Sequence, residues 1–171
     1  GYTRAFVKVQ DGCDASCSFC LVSQARGPNR SQRPEVVREQ VERLVGVGFQ
    51  EVVLTGVHLG TYGADLGGEI HLAGLLRSLR EVVGLKKVRL GSIEPREFTP
   101  ELIEEIATNP KVCRHLHIPL QSGDPEILQA MGRNYTPDDY EKLIQRLKEK
   151  MPELGLGADV IVGFPGEGES H

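Results

Sequence analysis

Hydrophobic and polar positions along the chain follow two patterns in alternation, one that repeats every two residues and one that repeats every three or four. Apolar and polar side chains alternate from Ala5 to Gln10, which predicts a first β-strand. Segments with apolar residues at every third or fourth position lie between further short apolar runs and are typical of amphipathic helices. The further runs, each predicted to be a strand, are residues 51–54, 87–92, 115–120 and 158–162.

Prolines mark the starts of four predicted helices. Proline fits the first helical turn, where its missing N–H costs nothing, and a preceding Thr or Asp caps the helix. These helices begin at Pro34 and directly after Thr99, Asp124 and Thr136. A further helical stripe of apolar residues runs from Leu72 to Val83.

Strands and helices alternate five times, in units of roughly 30 to 40 residues, as βαβ units do. This predicts an α/β fold with a parallel sheet, either an open doubly wound sheet or a partial barrel. The fourth strand carries Leu116, Ile118 and Leu120 on one face and His115, His117, Pro119 and Gln121 on the other. A sheet covered by helices on both faces should be apolar on both, so the polar face, matched by Lys8 and Gln10, favours a barrel with a ligand-holding lumen.

Composition and charge add few constraints. The 171 residues are predicted to form one domain, 1–171, with a net charge of −4 and so no general basic field for nucleic acid. No apolar run approaches the ~20 residues that span a bilayer, which predicts no membrane partner. The chain starts without Met, and we expect it to be a piece of a longer protein. One local basic cluster, Arg26, Arg30 and Arg33, is either a phosphate-binding surface or a solvated loop.

Three cysteines follow the first predicted strand directly. Cys13, Cys17 and Cys20 have the spacing C-x3-C-x2-C, so their thiolates can share one metal centre but leave it one ligand short. A structural zinc site would need Cys113 or a histidine as fourth ligand, and such sites usually draw on two separate ligand pairs. Cys113 precedes the fourth strand and is predicted to be a buried thiol at the other end of the sheet. A [4Fe–4S] cluster with an open position is therefore favoured over zinc.

This cysteine spacing, at the head of a βα repeat, resembles the radical S-adenosylmethionine (SAM) superfamily. The resemblance implies a partial (β/α)6-type barrel, here truncated to about five βα units with a parallel sheet. It implies that Cys13, Cys17 and Cys20 hold a [4Fe–4S] cluster whose fourth iron binds the amino and carboxylate groups of SAM. An external electron donor would then drive cleavage of SAM to methionine and a 5′-deoxyadenosyl radical.

The resemblance also implies a set of SAM contacts near the ends of the predicted strands. Gly56 would lie at the amino group of SAM, Glu94 at its ribose or ammonium, Gln121 and Ser122 at the ribose, Arg133 at the carboxylate and Ile161 at the adenine. Each position has an ordinary alternative as a simple turn, a solvated charge or a buried strand residue. Lys8, His115 and His117 are candidates for a direct role in the lumen or, as the commoner outcome for histidine, for structural hydrogen bonds.

Within the superfamily, several segments are similar to the methylthiotransferases. They are Phe6–Cys13, Ala25–Pro28, Pro119–Gly123 and Gly163–Glu167. The segments Leu54–Gly63 and Gly91–Pro95 are most similar to the enzymes that add a methylthio group to C2 of N6-threonylcarbamoyladenosine at tRNA position 37.

The resemblance to this branch implies a cytoplasmic tRNA-modifying enzyme with parts beyond this chain. The basic cluster would contact tRNA phosphates. A second [4Fe–4S] cluster is expected in an N-terminal domain, and RNA binding in a C-terminal domain. The catalytic residues stay unassigned. The alternatives are an isopentenyladenosine tRNA enzyme, a ribosomal-protein-modifying relative and a non-catalytic zinc module.

Overall fold

Strands and helices alternate along residues 3–171, the part of the chain that the computed structural model describes. The strands are β1 Ala5–Lys8, β2 Gln10–Asp11, β3 Arg30–Ser31, β4 Glu51–Thr55, β5 Lys87–Leu90, β6 His115–His117 and β7 Gly155–Gly157. The α-helices are α1 Val22–Arg26, α2 Pro34–Gly46, α3 Leu72–Arg80, α4 Pro100–Thr108, α5 Pro125–Ala130 and α6 Pro137–Lys150. A 3₁₀ turn, Pro95–Glu97, follows β5.

The parallel strands lie side by side in the order in which they occur in the chain. β1 pairs with β4 and β4 with β5, while β6 pairs with β7. A parallel bridge between Val88 and Val112 joins β5 to the segment before β6. A doubly wound sheet would reverse its strand order at a switch point. The sequential order therefore confirms the prediction of an α/β partial barrel with a parallel sheet.

Helices α2, α3 and α4 cover one face of β1, β4 and β5. Their apolar stripes, including Leu75, Leu79 and Ile103, are buried in one core with Val52 and Leu54. The predicted stripe to Val83 is too long, because α3 ends at Arg80 and Val83 is 92% exposed.

The predicted helix starts are confirmed. Thr99 accepts a hydrogen bond from the Leu102 N–H, and Asp124 and Thr136 cap α5 and α6 in the same way. Pro34 opens α2 without a side-chain cap. A short helix, α1, lies just before and within a segment predicted to be irregular, residues 25–33.

The first predicted strand divides in two, because the chain changes partner at its carboxyl end. The Val9 N–H still donates to the Thr55 carbonyl of β4, but the Val9 carbonyl accepts from the Gln32 N–H. β2 then pairs antiparallel with β3. This small ladder closes the base of the loop that carries the three cysteines.

The last parallel strand lies earlier than predicted. β7 pairs in register with β6, Leu116 opposite Leu156, and is followed by a single bridge between Gln121 and Val160. The prediction of 158–162 was wrong because it relied on β-branched residues, whereas Val160 and Val162 are 56% and 85% exposed. The observed strand begins and ends with a glycine, so its sequence lacks the pattern of side chains from which a strand is predicted.

β5 and β6 also end before their predicted ends at residues 92 and 120. Within residues 3–171, no helix is both long and apolar enough to cross a membrane.

Candidate functional site

The cysteine loop begins where β1 and β2 end, at the carboxyl edge of the parallel sheet. Its base is tight: the Cys13 N–H donates to the Gly27 carbonyl over 3.0 Å, and Gly12 has φ +77°. A Cβ atom at Gly12 would overlap the Pro28 carbonyl, so only glycine fits both the backbone angle and the space. The loop is therefore held at its base while its cysteines face the sheet edge.

The structure brings the three loop cysteines together around one cavity of about 180 Å³. Each is partly buried, and burial raises the pKa of the Cys13 thiol above its ordinary value. His58, Glu94, Gln121 and Arg133 are among the other residues that line this cavity. Residues from the segments that follow β4, β5 and β6 thus meet the cysteines at one place.

Cys113 lies away from this cavity. Its N–H donates to the Val88 carbonyl, and its neighbours include Glu51 and Lys87, the first residues of β4 and β5. It is partly buried, and burial raises the pKa of its thiol. This position, at the amino ends of the strands, agrees with the prediction that Cys113 is not a ligand. In the described range 3–171, no three His, Cys, Asp or Glu side chains converge on a single ion position.

Arg133 is the most unusual charged residue at the cavity. Its side chain is only 8% exposed, and its Nη1 donates to the Cys17 sulfur over 3.1 Å. Its Nη2 is ion-paired with Glu94, yet Nη2 and Nε have no hydrogen-bond partner among the described residues. The ion pair thus brings opposite charges together without completing the donor geometry. Nε is thus the donor of this buried guanidinium without any partner, and it is a binding position for an anion beside the Glu94 carboxylate.

A second cavity, of about 270 Å³, shares several lining residues with the first. Cys17, His58, Glu94 and Arg133 line both cavities, and Tyr135 lines the second. The Arg133 guanidinium lies 5.4 Å from the centre of the Tyr135 ring, within cation–π range. The Arg133–Glu94 pair therefore lines both spaces next to the cysteines.

His58 joins the site although it was not among the predicted site residues. Its Nδ1 lies 3.4 Å from the Cys13 sulfur, and its Nε2 is paired with the Glu97 carboxylate. Both side chains are largely buried, at 17% and 13% exposure. His58 stood in the segment Leu54–Gly63 that carried the resemblance, but nothing in its local pattern indicated contact with a cysteine 45 positions away.

Gln10, at the end of the first predicted strand, is fully buried and connects the cysteine loop to the loop that carries His58. Its Nε2 donates to the Gly12 carbonyl over 2.7 Å and to Asn29, and its Oε1 accepts the His58 N–H over 2.7 Å. It was predicted to face a lumen. It joins the cysteine loop to the loop after β4 instead.

The remaining predicted SAM-contacting residues have different surroundings. Gln121 lines the first cavity and has a positive φ of 68°, unusual for a residue other than glycine. Ser122 is buried and its Oγ accepts the Asp124 N–H. A Cβ atom at Gly56 would lie 2.6 Å from Gln10 Oε1, so close packing accounts for this glycine. Ile161 is partly exposed, and its N–H donates to the Gln121 carbonyl.

The charged candidates for the lumen and the RNA surface lie around the edge of the site. Arg26, Arg30 and Arg33 are exposed or partly exposed, and Arg30 approaches Asp11 at 3.8 Å. His115 is exposed, and His117 contacts the Ser92 hydroxyl at 2.7 Å. These positions leave the arginines accessible and give His117 a structural partner.

The sequence of this chain matches a known family over almost its whole length. The model of the radical SAM superfamily matches residues 7–171. The chain belongs to the radical SAM superfamily. Enzymes of this superfamily use a [4Fe–4S] cluster and SAM, so the cysteine loop and its cavity lie in the domain that carries these cofactors.

Relatives of this chain include proteins named as tRNA-modifying enzymes. The chain is 45% identical over 170 residues to the threonylcarbamoyladenosine tRNA methylthiotransferase MtaB of Bacillus subtilis, covering 99% of this chain and 38% of the relative. It is 43% identical over 164 residues to the tRNA-2-methylthio-N(6)-dimethylallyladenosine synthase of Pelotomaculum thermopropionicum, covering 96% of this chain and 37% of the relative. The chain therefore spans little more than a third of the length of these relatives.

A solved structure supports the fold. The radical SAM methyltransferase TsrM from Kitasatospora setae, with cobalamin and a [4Fe–4S] cluster bound, superimposes with a TM-score of 0.69. The match covers 91% of this chain and 30% of TsrM at 23% identity, and it is evidence for the shared fold alone.

Proposed function

We propose that this chain is the radical SAM core of a tRNA methylthiotransferase. In this proposal, reductive cleavage of SAM on a [4Fe–4S] cluster supplies a 5′-deoxyadenosyl radical for C2 methylthiolation of N6-threonylcarbamoyladenosine at tRNA position 37. The similarity to MtaB supports the reaction, and the segment Leu54–Gly63 supports the substrate. The observation that carries the proposal is the meeting of three loop cysteines with a buried, partly unpartnered arginine at one cavity.

The residues present fit both cofactors. Cys13, Cys17 and Cys20 offer three thiolates, the ligands that iron–sulfur clusters use, on one loop beside one cavity. The free Nε donor of Arg133 suits a carboxylate, and the adjacent Glu94 carboxylate suits an ammonium group. The amino-acid end of SAM carries both groups, so the Arg133–Glu94 pair is complementary to it.

Each further residue then has a role that its surroundings support. Gln121 is proposed to contact the ribose, since its side chain reaches the cavity. Ser122, whose Oγ also holds the turn after Gln121, is proposed to contact the ribose beside it. Gly56, which lets Gln10 approach the loop after β4, is proposed to lie at the amino group of SAM. Ile161 is proposed to lie against the adenine from the segment paired with Gln121.

The complete reaction is proposed to need more than this chain. We propose a longer protein with a second [4Fe–4S] cluster in an N-terminal domain as the sulfur source, an RNA-binding C-terminal domain and an external electron donor. The tRNA is proposed to contact the accessible Arg26, Arg30 and Arg33, which lie on and next to the cysteine loop. A tRNA substrate also implies action in the cytoplasm.

A second candidate substrate is N6-dimethylallyladenosine. Two relatives named for that reaction, from Pelotomaculum thermopropionicum and Moorella thermoacetica, are 43% and 44% identical to this chain. Their identity is close to that of MtaB, so overall similarity does not separate the two substrates. The segment Leu54–Gly63 is the feature that favours threonylcarbamoyladenosine.

The experiment is nucleoside analysis of tRNA from cells that lack both activities and express the full-length protein that contains this chain. The proposal predicts appearance of the 2-methylthio derivative of threonylcarbamoyladenosine with wild-type protein and its absence with Cys17→Ala. The 2-methylthio derivative of the dimethylallyl nucleoside would instead favour the second candidate. The purified protein, reconstituted anaerobically and reduced, should also release 5′-deoxyadenosine from SAM. A cluster-loaded protein that never cleaves SAM would contradict the proposal.

A further inference from the structure

We propose that His58 and Glu97 form a positioning pair that directs a hydrogen bond at the sulfur of Cys13 and thereby sets the reduction potential of the cluster. The proposal rests on the proposed function, because it takes Cys13 as a cluster ligand. The structural basis is the succession of a carboxylate, an imidazole and a cysteine sulfur at the edge of the cavity.

The arrangement joins three separate parts of the chain. Glu97 ends the 3₁₀ turn after β5, His58 lies in the loop after β4, and Cys13 begins the cysteine loop. His58 Nδ1 lies 3.4 Å from Cys13 Sγ, within reach of a hydrogen bond to sulfur, while Nε2 faces the Glu97 carboxylate. The two ring nitrogens therefore have one partner each, and the ring plane is defined by both. A neutral imidazole carries a single N–H, so donation to Glu97 and to Cys13 at once takes the imidazolium form of His58, placed between a carboxylate and a cluster-ligating thiolate.

Each member is fixed by backbone contacts beyond the arrangement itself. The His58 N–H donates to Gln10 Oε1 over 2.7 Å. The second oxygen of Glu97 accepts the Glu94 N–H over 3.2 Å, as part of a capping box. Gly60 makes room for Glu97, because a Cβ atom there would overlap the carboxylate. The imidazole is thus held between two anchored groups.

The same turn supports a second donor. Glu94 pairs with Arg133, whose Nη1 donates to the Cys17 sulfur over 3.1 Å. Two cysteines of the loop thus each face a nitrogen donor with a carboxylate behind it, and both carboxylates come from the segment 94–97. The Arg133–Glu94 pair also belongs to the proposed SAM site, whereas no role in SAM binding is assigned to the His58–Glu97 pair.

A nitrogen donor at a cluster-ligating sulfur has a defined chemical effect. Hydrogen bonds to the sulfurs are among the factors that set the reduction potential of iron–sulfur clusters. A donor stabilises the more negative, reduced state and so raises the potential. The Glu97 carboxylate orients the ring and stabilises its N–H at Nε2 and its positive charge, which leaves the Nδ1–H directed at the sulfur.

The test is a redox titration of the full-length protein after anaerobic reconstitution. The signal followed is the electron paramagnetic resonance of the cluster that changes when SAM is added, which separates it from any second cluster. His58→Ala removes one hydrogen bond to a charged sulfur, so it is expected to make the reduction equilibrium roughly tenfold less favourable, which lowers the midpoint potential by about 59 mV for one electron. His58→Gln, which keeps an N–H donor, should recover most of the shift. His115→Ala, an exposed histidine on β6, should leave the potential unchanged.

Glu97→Gln provides a second measurement that keeps the imidazole. It should lower the potential by less than His58→Ala does. If His58→Ala does not retain its cluster, Glu97→Gln is the variant to compare with the wild type. A fully loaded His58→Ala or Glu97→Gln protein with the wild-type potential would overturn the inference. So would a potential that falls equally in His58→Gln and His58→Ala, which would point to packing alone. Wild-type protein that binds no SAM-responsive cluster would instead overturn the proposed function.

Discussion

The guanidinium of Arg133 donates a hydrogen bond to the sulfur of Cys17 across 116 positions of sequence, at a distance of 3.1 Å. This contact links the segment between α5 and α6 to the cysteine loop. It is reinforced by hydrogen bonds from the Ser18 N–H to the Met131 carbonyl and from the Ser18 hydroxyl to the Ala130 carbonyl. The cysteine loop is therefore supported by residues that the chain supplies much later.

Arg133 is expected to bind SAM through its charge and its unpartnered Nε donor. Arg133→Met keeps much of the length of the side chain but removes the charge, and it should weaken SAM binding roughly tenfold to a hundredfold, the value of one or two hydrogen bonds to a charged group. Isothermal titration of SAM into the cluster-loaded protein measures this. The control is Arg146→Met, on the exposed side of α6, which should bind SAM as the wild type does. Equal affinities of the two variants would contradict the role given to Arg133.

Gly12 is expected to be irreplaceable at the base of the cysteine loop. Gly12→Ala adds backbone strain of about 1 to 3 kcal/mol at its positive φ, and the new methyl group overlaps the Pro28 carbonyl. Gly67→Ala is a matched control, since Gly67 has φ +72° but nothing within 4 Å of the position that a Cβ atom would take. Urea denaturation should show a larger loss of unfolding free energy for Gly12→Ala than for Gly67→Ala. Equal losses of unfolding free energy would show that the loop accommodates the methyl group and that Gly12 is replaceable.

Gln10 is expected to be a stability residue of the site. Gln10→Leu leaves the buried Gly12 carbonyl and His58 N–H without their side-chain partner, which should cost about 2 to 4 kcal/mol of unfolding free energy. Gln129→Leu, at an exposed position on α5, should change the unfolding free energy little. Chemical denaturation monitored by circular dichroism compares them. A Gln10→Leu protein as stable as its control would show that water replaces both hydrogen bonds.

The loop cysteines and Cys113 are expected to differ in iron binding. After anaerobic reconstitution, Cys17→Ser should lose most of the iron and sulfide of the SAM-responsive cluster, because serine replaces one of three thiolate ligands. Cys113→Ser should retain the wild-type content, since Cys113 lies by the amino ends of β4 and β5. Iron and acid-labile sulfide analysis, together with the electron paramagnetic resonance signal, provides the measurement. Loss of the cluster in Cys113→Ser would reopen the four-cysteine interpretation.

Local patterns predicted much of the fold because local physics produces it. Thr99, Asp124 and Thr136 cap helices through hydrogen bonds to residues two or three positions away, and proline after each fits the first turn. The cysteine spacing is likewise local, since all three thiols come from one loop. These features were visible in the sequence because their causes lie within a few residues.

The sequence by itself determined the alternation of strand and helix, the parallel sheet and the cysteine loop. Only the tertiary structure placed His58 and Glu97 behind Cys13, and only it assigned Gln10 to the joint between two loops. It also placed the last strand at Gly155–Gly157. Backbone pairing with β6 defines this strand, and its side chains show no pattern that predicts one. The physical reason is the same in each case. Hydrogen bonds between residues tens of positions apart depend on how the strands align, and no short-range pattern of hydrophobic and polar residues records that alignment.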